Sequence, residues 1–206
     1  MGNIKKLKIA ITGSIGSGKT TFSNFIKENG YPVIFADDIS KEILAKDLRV
    51  RKLISENFGR QAYSGNKINK KFLAEKIFAD PRKLKKINSI LHPLVREKIG
   101  ELSEEYFLKN NFVFIEAALI FESKIEKMYD FVVLVTADED IREQRSINSK
   151  KFSREDFRKR NDAQLDEEIK IKMADFVFYN NGPKNELKKK ALLLISILNS
   201  YLNNKD

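Results

Sequence analysis

A glycine-rich segment near the N-terminus constrains this chain more than any other feature of its 206 residues. Eight consecutive residues fit the phosphate-loop pattern G-x-x-x-x-G-K-[ST] at every specified position: Gly13, Ser14, Ile15, Gly16, Ser17, Gly18, Lys19 and Thr20. An apolar run precedes the loop and a helix-period pattern beginning at Thr21 follows it, which is the context that such a loop requires. The segment from Gly13 to Thr21 therefore predicts a binding site for nucleoside triphosphate.

The residue types of the loop explain its chemistry. Glycines let the backbone turn so that its N–H groups point at phosphate oxygens, and the helix N-terminus that follows adds positive potential. We expect Lys19 to reach the β- and γ-phosphates and the Thr20 hydroxyl to ligate Mg²⁺. The loop thus predicts the phosphoryl donor and leaves the acceptor open.

Five apolar runs, each followed by polar sequence of helical period, predict the fold class. Runs of this kind are typical of parallel strands that are covered on both faces. The predicted strands are residues 7–12, 33–36, 112–117, 131–135 and 176–179. We expect an α/β fold with a five-stranded parallel sheet flanked by helices, in which ligands bind at the carboxyl edge of the strands.

We expect one domain over residues 1–206, with two helical subregions. Residues 39–110 contain no convincing strand pattern and indicate several short helices, which we interpret as an inserted helical subregion. Residues 141–172 have helical period and are rich in arginine and lysine. A third amphipathic pattern, over 186–198, predicts a helix that closes the core.

Composition excludes several classes of site. The chain has no cysteine and a single histidine, His92, which excludes disulfides, cysteine-ligated metals and multi-histidine zinc sites. No segment approaches the roughly 20 apolar residues of a membrane span, and no signal peptide is evident, so we expect a cytoplasmic protein without a membrane partner. The net charge of +10 is spread among acidic residues, which favours a solvated surface over a nucleic-acid interface.

Acidic residues follow two of the predicted strands. Asp37 and Asp38 follow residues 33–36, and Glu116 follows the apolar part of 112–117. Because a kinase needs a carboxylate beside the acceptor hydroxyl, Asp37 is our candidate base. An N-cap for a helix beginning near Ile39 is an equal alternative for Asp37 or Asp38. Glu116 either faces the phosphates or is a strand-end charge that reaches solvent.

Beyond the loop, several motifs occur together in an order that resembles the dephospho-coenzyme A kinase family. The matching residues are Ile11 to Thr20, Ala36-Asp37, Leu91-His92-Pro93, Leu119-Ile120-Phe121-Glu122, Arg160 with Gln164, Lys170, Ala174-Asp175 and Asn180-Asn181-Gly182. The resemblance covers about residues 7–182. It implies ATP-dependent phosphorylation of the ribose 3′-hydroxyl of dephospho-CoA, giving CoA and ADP, the final step of CoA synthesis.

The resemblance also implies residue roles on the acceptor side. Asp37 corresponds to the aspartate beside the acceptor hydroxyl. His92 and Pro93 belong to a motif that holds the CoA-like substrate, and Leu119 and Glu122 belong to a second motif that we assign to substrate binding. As bare sequence, His92 is equally a residue just before a helix whose first position is Pro93.

A lid over the triphosphate is implied for residues 141–160. Arg145 corresponds to a lid arginine that would neutralise charge during transfer, and Arg160 to a later arginine that we assign to substrate binding. Ser149 stands where a second lid arginine is usual, so that Lys150 or Lys151 is the candidate replacement. Asn180 corresponds to the adenine-side loop, although by itself Asn180-Asn181-Gly182-Pro183 is an ordinary turn signal.

Two other functions stay open at this point. Another small-molecule P-loop kinase would share the loop and lid, but the Asp-Gly-Phe-Pro-Arg signature of many nucleoside monophosphate kinases is absent after Phe112. A nucleotide-dependent switch or nucleic-acid-binding ATPase would suit the charge of +10, but the chain has no Asn-Lys-x-Asp motif. The implied partners are therefore dephospho-CoA and ATP, and we expect a monomer or weak homo-oligomer.

Overall fold

Strands and helices alternate along the chain. In this computed structural model, residues 5–65, 67–149 and 153–203 are described. The strands are β1 Leu7–Thr12, β2 Val33–Phe35, β3 Tyr63–Ser64, β4 Lys67–Ile68, β5 Phe112–Glu116, β6 Phe131–Thr136 and β7 Phe176–Tyr179. The helices are α1 Lys19–Glu28, α2 Ala36–Lys46, α3 Leu48–Phe58, α4 Lys70–Ala79, α5 Pro81–Tyr106, α6 Glu139–Asn148, α7 Arg154–Asp162, α8 Glu167–Met173 and α9 Lys184–Asn203.

The central sheet has the strand order β2-β5-β1-β6-β7. In β1, Leu7 is in register with Phe112 of β5, and Ile9 is in register with Phe131 of β6, both in parallel pairs. All five residues of β5 are buried, as expected of a strand covered on both faces. The five-stranded parallel sheet flanked by helices is confirmed, and each predicted strand agrees with an observed one to within a residue at either end.

The C-terminal helix completes the core around this sheet. Helix α9 packs against α1, and its buried residues are Leu187, Ala191, Leu194, Ile195 and Leu198. Phe22 of α1 contacts Phe178 of β7, with ring centroids 5.2 Å apart. The prediction that the pattern over 186–198 closes the core is confirmed.

The chain divides into two compact units. One unit comprises Met1–Ile34 and Ser103–Asp206, and the other comprises Phe35–Leu102. The second unit has an apolar core of its own, formed by Val50, Ile54, Phe58, Ala62, Tyr63, Leu73, Ile87 and Leu91. Both the phosphate loop and the strand β5 lie in the first unit, whereas Asp37 and His92 lie in the second.

The expectation of several short helices within residues 39–110 is confirmed by α2, α3 and α4, which have 10 or 11 residues each, but three details differ from the expectation. Strands β3 and β4 form an antiparallel hairpin, which has only two residues in each strand and therefore no detectable alternation. Helix α5 is longer than the others, with 26 residues, and it continues through Pro93, which was expected in one interpretation to be the first residue of a helix. A proline inside a helix removes one backbone hydrogen bond, and a proline in the sequence is therefore usually taken to mark a helix boundary. Helix α2 begins at Ala36, three residues before the predicted start.

No helix within the described residues is both long enough and apolar enough to cross a membrane.

Candidate active site

The phosphate loop leads into helix α1, whose first backbone amides have no side-chain cap. Gly18 is the N-cap of α1 and provides no side-chain cap, and the first turn contains no acidic residue. The first backbone hydrogen bond of the helix runs from Phe22 N–H to Gly18 C=O. The amides of Lys19, Thr20 and Thr21 therefore have no partner within the helix and are suited to an anion.

Close packing explains why Gly16 and Gly18 must be glycine. Their φ angles are +79° and +93°, in the region that side chains disfavour. A Cβ atom at Gly18 would collide with the Asn180 side-chain amide, and one at Gly16 would collide with the Arg142 carbonyl. The Asn180 amide donates to Ser17 C=O at 2.8 Å. The loop is thus held between α6 and the segment that follows β7.

A buried carboxylate lies beside the lysine and threonine that end the phosphate loop. Glu116 is only 4% exposed. Its carboxylate lies 3.8 Å from Lys19 Nζ and accepts a hydrogen bond of 3.3 Å from the Thr20 hydroxyl. Because β5 pairs with β1, with Ile11 opposite Glu116, the end of β5 reaches the loop. The solvent-facing interpretation of Glu116 is wrong.

The arrangement of Thr20 and Glu116 fits Mg²⁺ better than it fits a metal held by protein ligands alone. Magnesium prefers oxygen ligands, and in kinases it takes one or two from the protein and others from phosphates and water. Within the described residues, no group of three or more histidine, cysteine, aspartate or glutamate side chains could hold a metal ion. Thr20 and Glu116 are the residues here that could hold Mg²⁺ together with a triphosphate.

The first half of the loop is bound to residues 164–170. Ile15 N–H donates to Gln164 Oε1 at 3.0 Å. The Ser14 hydroxyl donates to Glu167 and accepts from Lys170 Nζ, the latter at 2.8 Å. Gln164 and Lys170 were identified from the sequence only as positions that match the family, and Glu167 was missed. The available signal was the spacing of Glu167 and Lys170, since residues three apart in a helix lie on the same face.

The motif from Leu119 to Glu122 is divided between exposed and buried side chains. Leu119 is 38% exposed. Glu122 Oε1 accepts from Leu165 N–H at 3.0 Å and pairs with Lys170 Nζ at 3.1 Å. The structure therefore joins Glu122 to the same group of side chains that contacts Ser14.

Arginines of α6 contact the backbone around the loop. Arg145 donates to Asn180 C=O at 2.7 Å and to Gly182 C=O at 3.4 Å. Burial lowers the pKa of the Arg145 guanidinium. The group nevertheless stays charged near neutral pH, because the ordinary pKa of arginine is so high. Buried Arg142 donates to Ala137 C=O at 3.0 Å and to Asn161 Oδ1 at 2.7 Å. Arg142 thus stiffens the region in which Arg145 lies.

The rest of the predicted lid follows the same helices. Arg160 lies in the last turn of α7, and Ser149 follows the last residue of α6, with its hydroxyl donating to Ser146 C=O at 2.7 Å. Lys150 and Lys151, the candidate replacements for a lid arginine, lie outside the described residues.

In the second unit, Asp37 is an exposed residue in the first turn of α2. The N-cap position is Phe35, so the N-cap interpretation of Asp37 or Asp38 is wrong. Acidic residues are still favoured here, because the helix dipole is positive at this end. Asp38 pairs with Lys41 at 2.7 Å, whereas Asp37 makes no hydrogen bond or ion pair with another described residue of its own unit.

His92 and Pro93 lie in the interior of α5, so Pro93 is not the first residue of a helix as the alternative required. His92 is half-buried, and its backbone carbonyl accepts from Arg96 Nε at 3.3 Å. Burial, and then the positive charge of Arg96, lowers the pKa of the His92 imidazole below its ordinary 6.5. The neutral imidazole is therefore favoured.

A parallel sheet, a phosphate loop that opens an uncapped helix, and a buried carboxylate beside the loop lysine together define a P-loop kinase. The sequence model described as "Dephospho-CoA kinase" matches residues 7–186. The chain belongs to the dephospho-CoA kinase family, and the resemblance given by its motifs is confirmed.

Individual relatives agree with this assignment. The chain is 34% identical over 192 residues to a dephospho-CoA kinase of Bacteroides fragilis, and the match covers 93% of each chain. The crystal structure of a Thermus thermophilus protein matches with a TM-score of 0.80 and 31% identity, covering 94% of this chain and 98% of the other. A dephospho-CoA kinase from Campylobacter jejuni matches with a TM-score of 0.70 and 28% identity, covering 93% and 96%.

Proposed function

We propose that the phosphate loop, Glu116 and Asp37 carry out in this chain the reaction of the dephospho-CoA kinase family. The chain phosphorylates the ribose 3′-hydroxyl of dephospho-CoA with ATP, giving CoA and ADP, the final step of CoA biosynthesis. The observation that carries the residue assignment is the uncapped start of α1, with Lys19 and Thr20 on either side of buried Glu116. Phosphoryl transfer depends mainly on positioning and on stabilising charge, and this arrangement supplies both.

For the donor, we assign the phosphates of ATP to the amides between Gly13 and Thr21 and to Lys19. Thr20 and Glu116 are the proposed holders of Mg²⁺, which when bound neutralises charge on the β- and γ-phosphates. Asn180 is assigned to the adenine side because it corresponds to the adenine-side loop of the family, and its side chain also donates to Ser17 C=O. Arg145 is assigned to the charge that develops during transfer.

For the acceptor, we assign Asp37 as the base that takes the proton of the ribose hydroxyl. Its exposed carboxylate has no partner in its own unit that would compete for the proton. Residues 39–110, most of which belong to the unit from Phe35 to Leu102, are the proposed substrate-binding insertion, with His92 and Pro93 in contact with dephospho-CoA. Leu119 and Arg160 are further candidate contacts, and residues 141–160 are the proposed lid.

An assay of ADP release tests the function. We expect turnover with dephospho-CoA and Mg·ATP, and no comparable turnover with shikimate, gluconate, a nucleoside or a nucleoside monophosphate as acceptor. Mass analysis should place the new phosphate on the ribose 3′-oxygen. Turnover with one of the other acceptors and none with dephospho-CoA would overturn the proposal.

The magnesium assignment has its own test in a matched pair of threonines. We expect Thr20→Ala to raise the Mg²⁺ concentration for half-maximal turnover about 10-fold or more, because a ligand or its orienting partner is lost. Thr21→Ala, one residue further along α1, should leave the Mg²⁺ requirement nearly unchanged. Equal requirements in both variants would remove Thr20 from the metal site.

Three further expectations remain predictions: the cytoplasmic location, the lack of nucleic-acid and membrane partners, and the oligomeric state.

A further inference from the structure

Three side chains at intervals of three residues contact the first half of the phosphate loop. Gln164, just ahead of α8, accepts from Ile15 N–H. Glu167 accepts from the Ser14 hydroxyl, and Lys170 donates to the oxygen of the same hydroxyl. These residues are about 150 positions away from the loop in sequence, so the contacts are tertiary. We call Gln164, Glu167 and Lys170 the support of the loop, because all three contact its residues.

Lys170 is the central group of this support. It is 1% exposed, and its ammonium lies 2.8 Å from Ser14 Oγ and 3.1 Å from Glu122 Oε1. A buried ammonium is tolerated only when nearby groups replace its hydration, so Lys170 depends on Glu122 for a counter-charge. Glu122 is in turn oriented by Leu165 N–H. The position of the ammonium therefore depends on Glu122 and Leu165, which both lie outside the phosphate loop.

The contacts of Ser14 leave its hydroxyl no donor for a ligand. A serine hydroxyl has one proton, and here that proton is donated to Glu167 while the oxygen accepts from Lys170. The Ser14 carbonyl accepts from Ser17 N–H at 3.1 Å, which closes the turn of the loop. Holding the Ser14 side chain thus holds the turn that presents the amides from Gly18 onward.

We propose that Lys170 is a positioning residue for the phosphate loop, and that Glu122 acts on ATP binding through Lys170 rather than by touching dephospho-CoA. The inference rests on the proposed function, because it takes the loop to be the ATP site. Lys170 does not meet the phosphates itself. It fixes Ser14, and a loop that is fixed before binding loses less entropy when the triphosphate arrives.

The experiment measures two affinities in the same full-length variants. The dissociation constant of a non-hydrolysable ATP analogue reports on the loop, and the KM for dephospho-CoA reports on the acceptor site. The variants are Lys170→Met, Glu122→Gln, Ser14→Ala and the double variant of Ser14→Ala with Lys170→Met. Lys172→Met is the matched control, because Lys172 is an exposed lysine of the same helix.

We expect Lys170→Met to weaken binding of the ATP analogue by about 10- to 100-fold, the effect of losing a hydrogen bond from a charged group. Glu122→Gln should weaken it in the same direction, and in both variants the KM for dephospho-CoA should change less than about 3-fold. Lys172→Met should match the wild type. Because Lys170 acts through Ser14, the double variant should bind the analogue about as well as Lys170→Met alone.

Two results would overturn the proposal. One is normal affinity for the ATP analogue in folded Lys170→Met, and the other is a raised KM for dephospho-CoA with unchanged analogue binding in Glu122→Gln. If Lys170→Met fails to fold, Ser14→Ala and Glu122→Gln decide the matter by the same two affinities. If the wild type binds no ATP analogue, the proposed function fails, whereas an active wild type with unaffected variants refutes only this inference.

Discussion

The phosphate loop and the predicted acceptor residues differ in how tightly their own units hold them. The loop is contacted on several sides: Asn180 binds Ser17, Gln164 binds Ile15, and Glu116 pairs with Lys19. Asp37, in contrast, is exposed and has no hydrogen-bond or ion-pair partner among the described residues of its own unit. The donor site is built before ligand binding, whereas the proposed base is left available for a proton.

This difference has a physical reason. A triphosphate is recognised by many weak backbone donors, which are effective only when they already point at the ligand. A general base needs one accessible carboxylate, and a strong ion pair would reduce its basicity. We therefore expect loop substitutions to impair stability, ATP binding or phosphoryl transfer, and substitution of Asp37 to impair catalysis without a loss of stability.

The largest expected effect is that of Lys19→Ala. Removing the charge that we assign to the β- and γ-phosphates should lower kcat by about 10³-fold or more, since stabilisation of charge in the transition state is lost. Steady-state ADP release measures this. Lys27→Ala, at an exposed position of the same helix, is the control and should keep near-normal kcat. Comparable losses in both variants would mean that Lys19 has no special role.

The next largest effect is that of Asp37→Asn, in the second unit. We expect kcat to fall by about 10²-fold or more, because the carboxylate that we propose as the general base is lost. The thermal midpoint should hardly change, since the side chain is exposed and has no partner in its own unit. The adjacent variant Asp38→Asn breaks only the surface pair with Lys41 and should keep its activity. A large loss of stability in Asp37→Asn would contradict the contrast between the two regions.

A smaller effect, on stability, separates backbone strain from packing in the loop. Gly30 and Gly18 both have positive φ angles, but only at Gly18 would a Cβ meet another residue, the Asn180 side chain. We expect Gly30→Ala to lower the free energy of unfolding by about 1–2 kcal/mol through strain alone. Gly18→Ala should cost more and should also weaken ATP binding. Chemical denaturation measures both, and equal costs would show that the loop is not tightly packed against Asn180.

The smallest effect concerns His92. Burial and Arg96 lower its pKa in the folded state, so the unfolded chain binds a proton more readily. The stability that neutral His92 contributes to the folded state is therefore fully present above about pH 6.5 and is lost as the pH falls below that value. Because His92 is the one histidine of the chain, proton NMR of its imidazole measures the titration directly. A midpoint at or above 6.5, or the same acid sensitivity in His92→Gln, would refute this.

Much of the fold could be predicted, because strands covered on both faces must be apolar along their whole length. That rule located all five strands of the sheet. It failed between residues 36 and 106, where the β3–β4 hairpin is too short for a pattern and Pro93 suggested a helix boundary that α5 does not have. In the candidate site, the consecutive residues from Gly13 to Thr20 could be predicted from their pattern, whereas for Glu116 the sequence predicted a strand end and left open whether the side chain faces the phosphates or solvent.

By itself, the sequence determined the phosphate-loop motif, the positions of the five sheet strands along the chain and the family, because each depends on local patterns of residue types. Only the tertiary structure decided which side chains hold the loop. Lys170 and Ser14 are separated by 156 positions, and no local pattern records that a buried ammonium and a hydroxyl will meet. Their contact exists because the packing of the sheet brings α8 to the loop, where a buried charge must find partners.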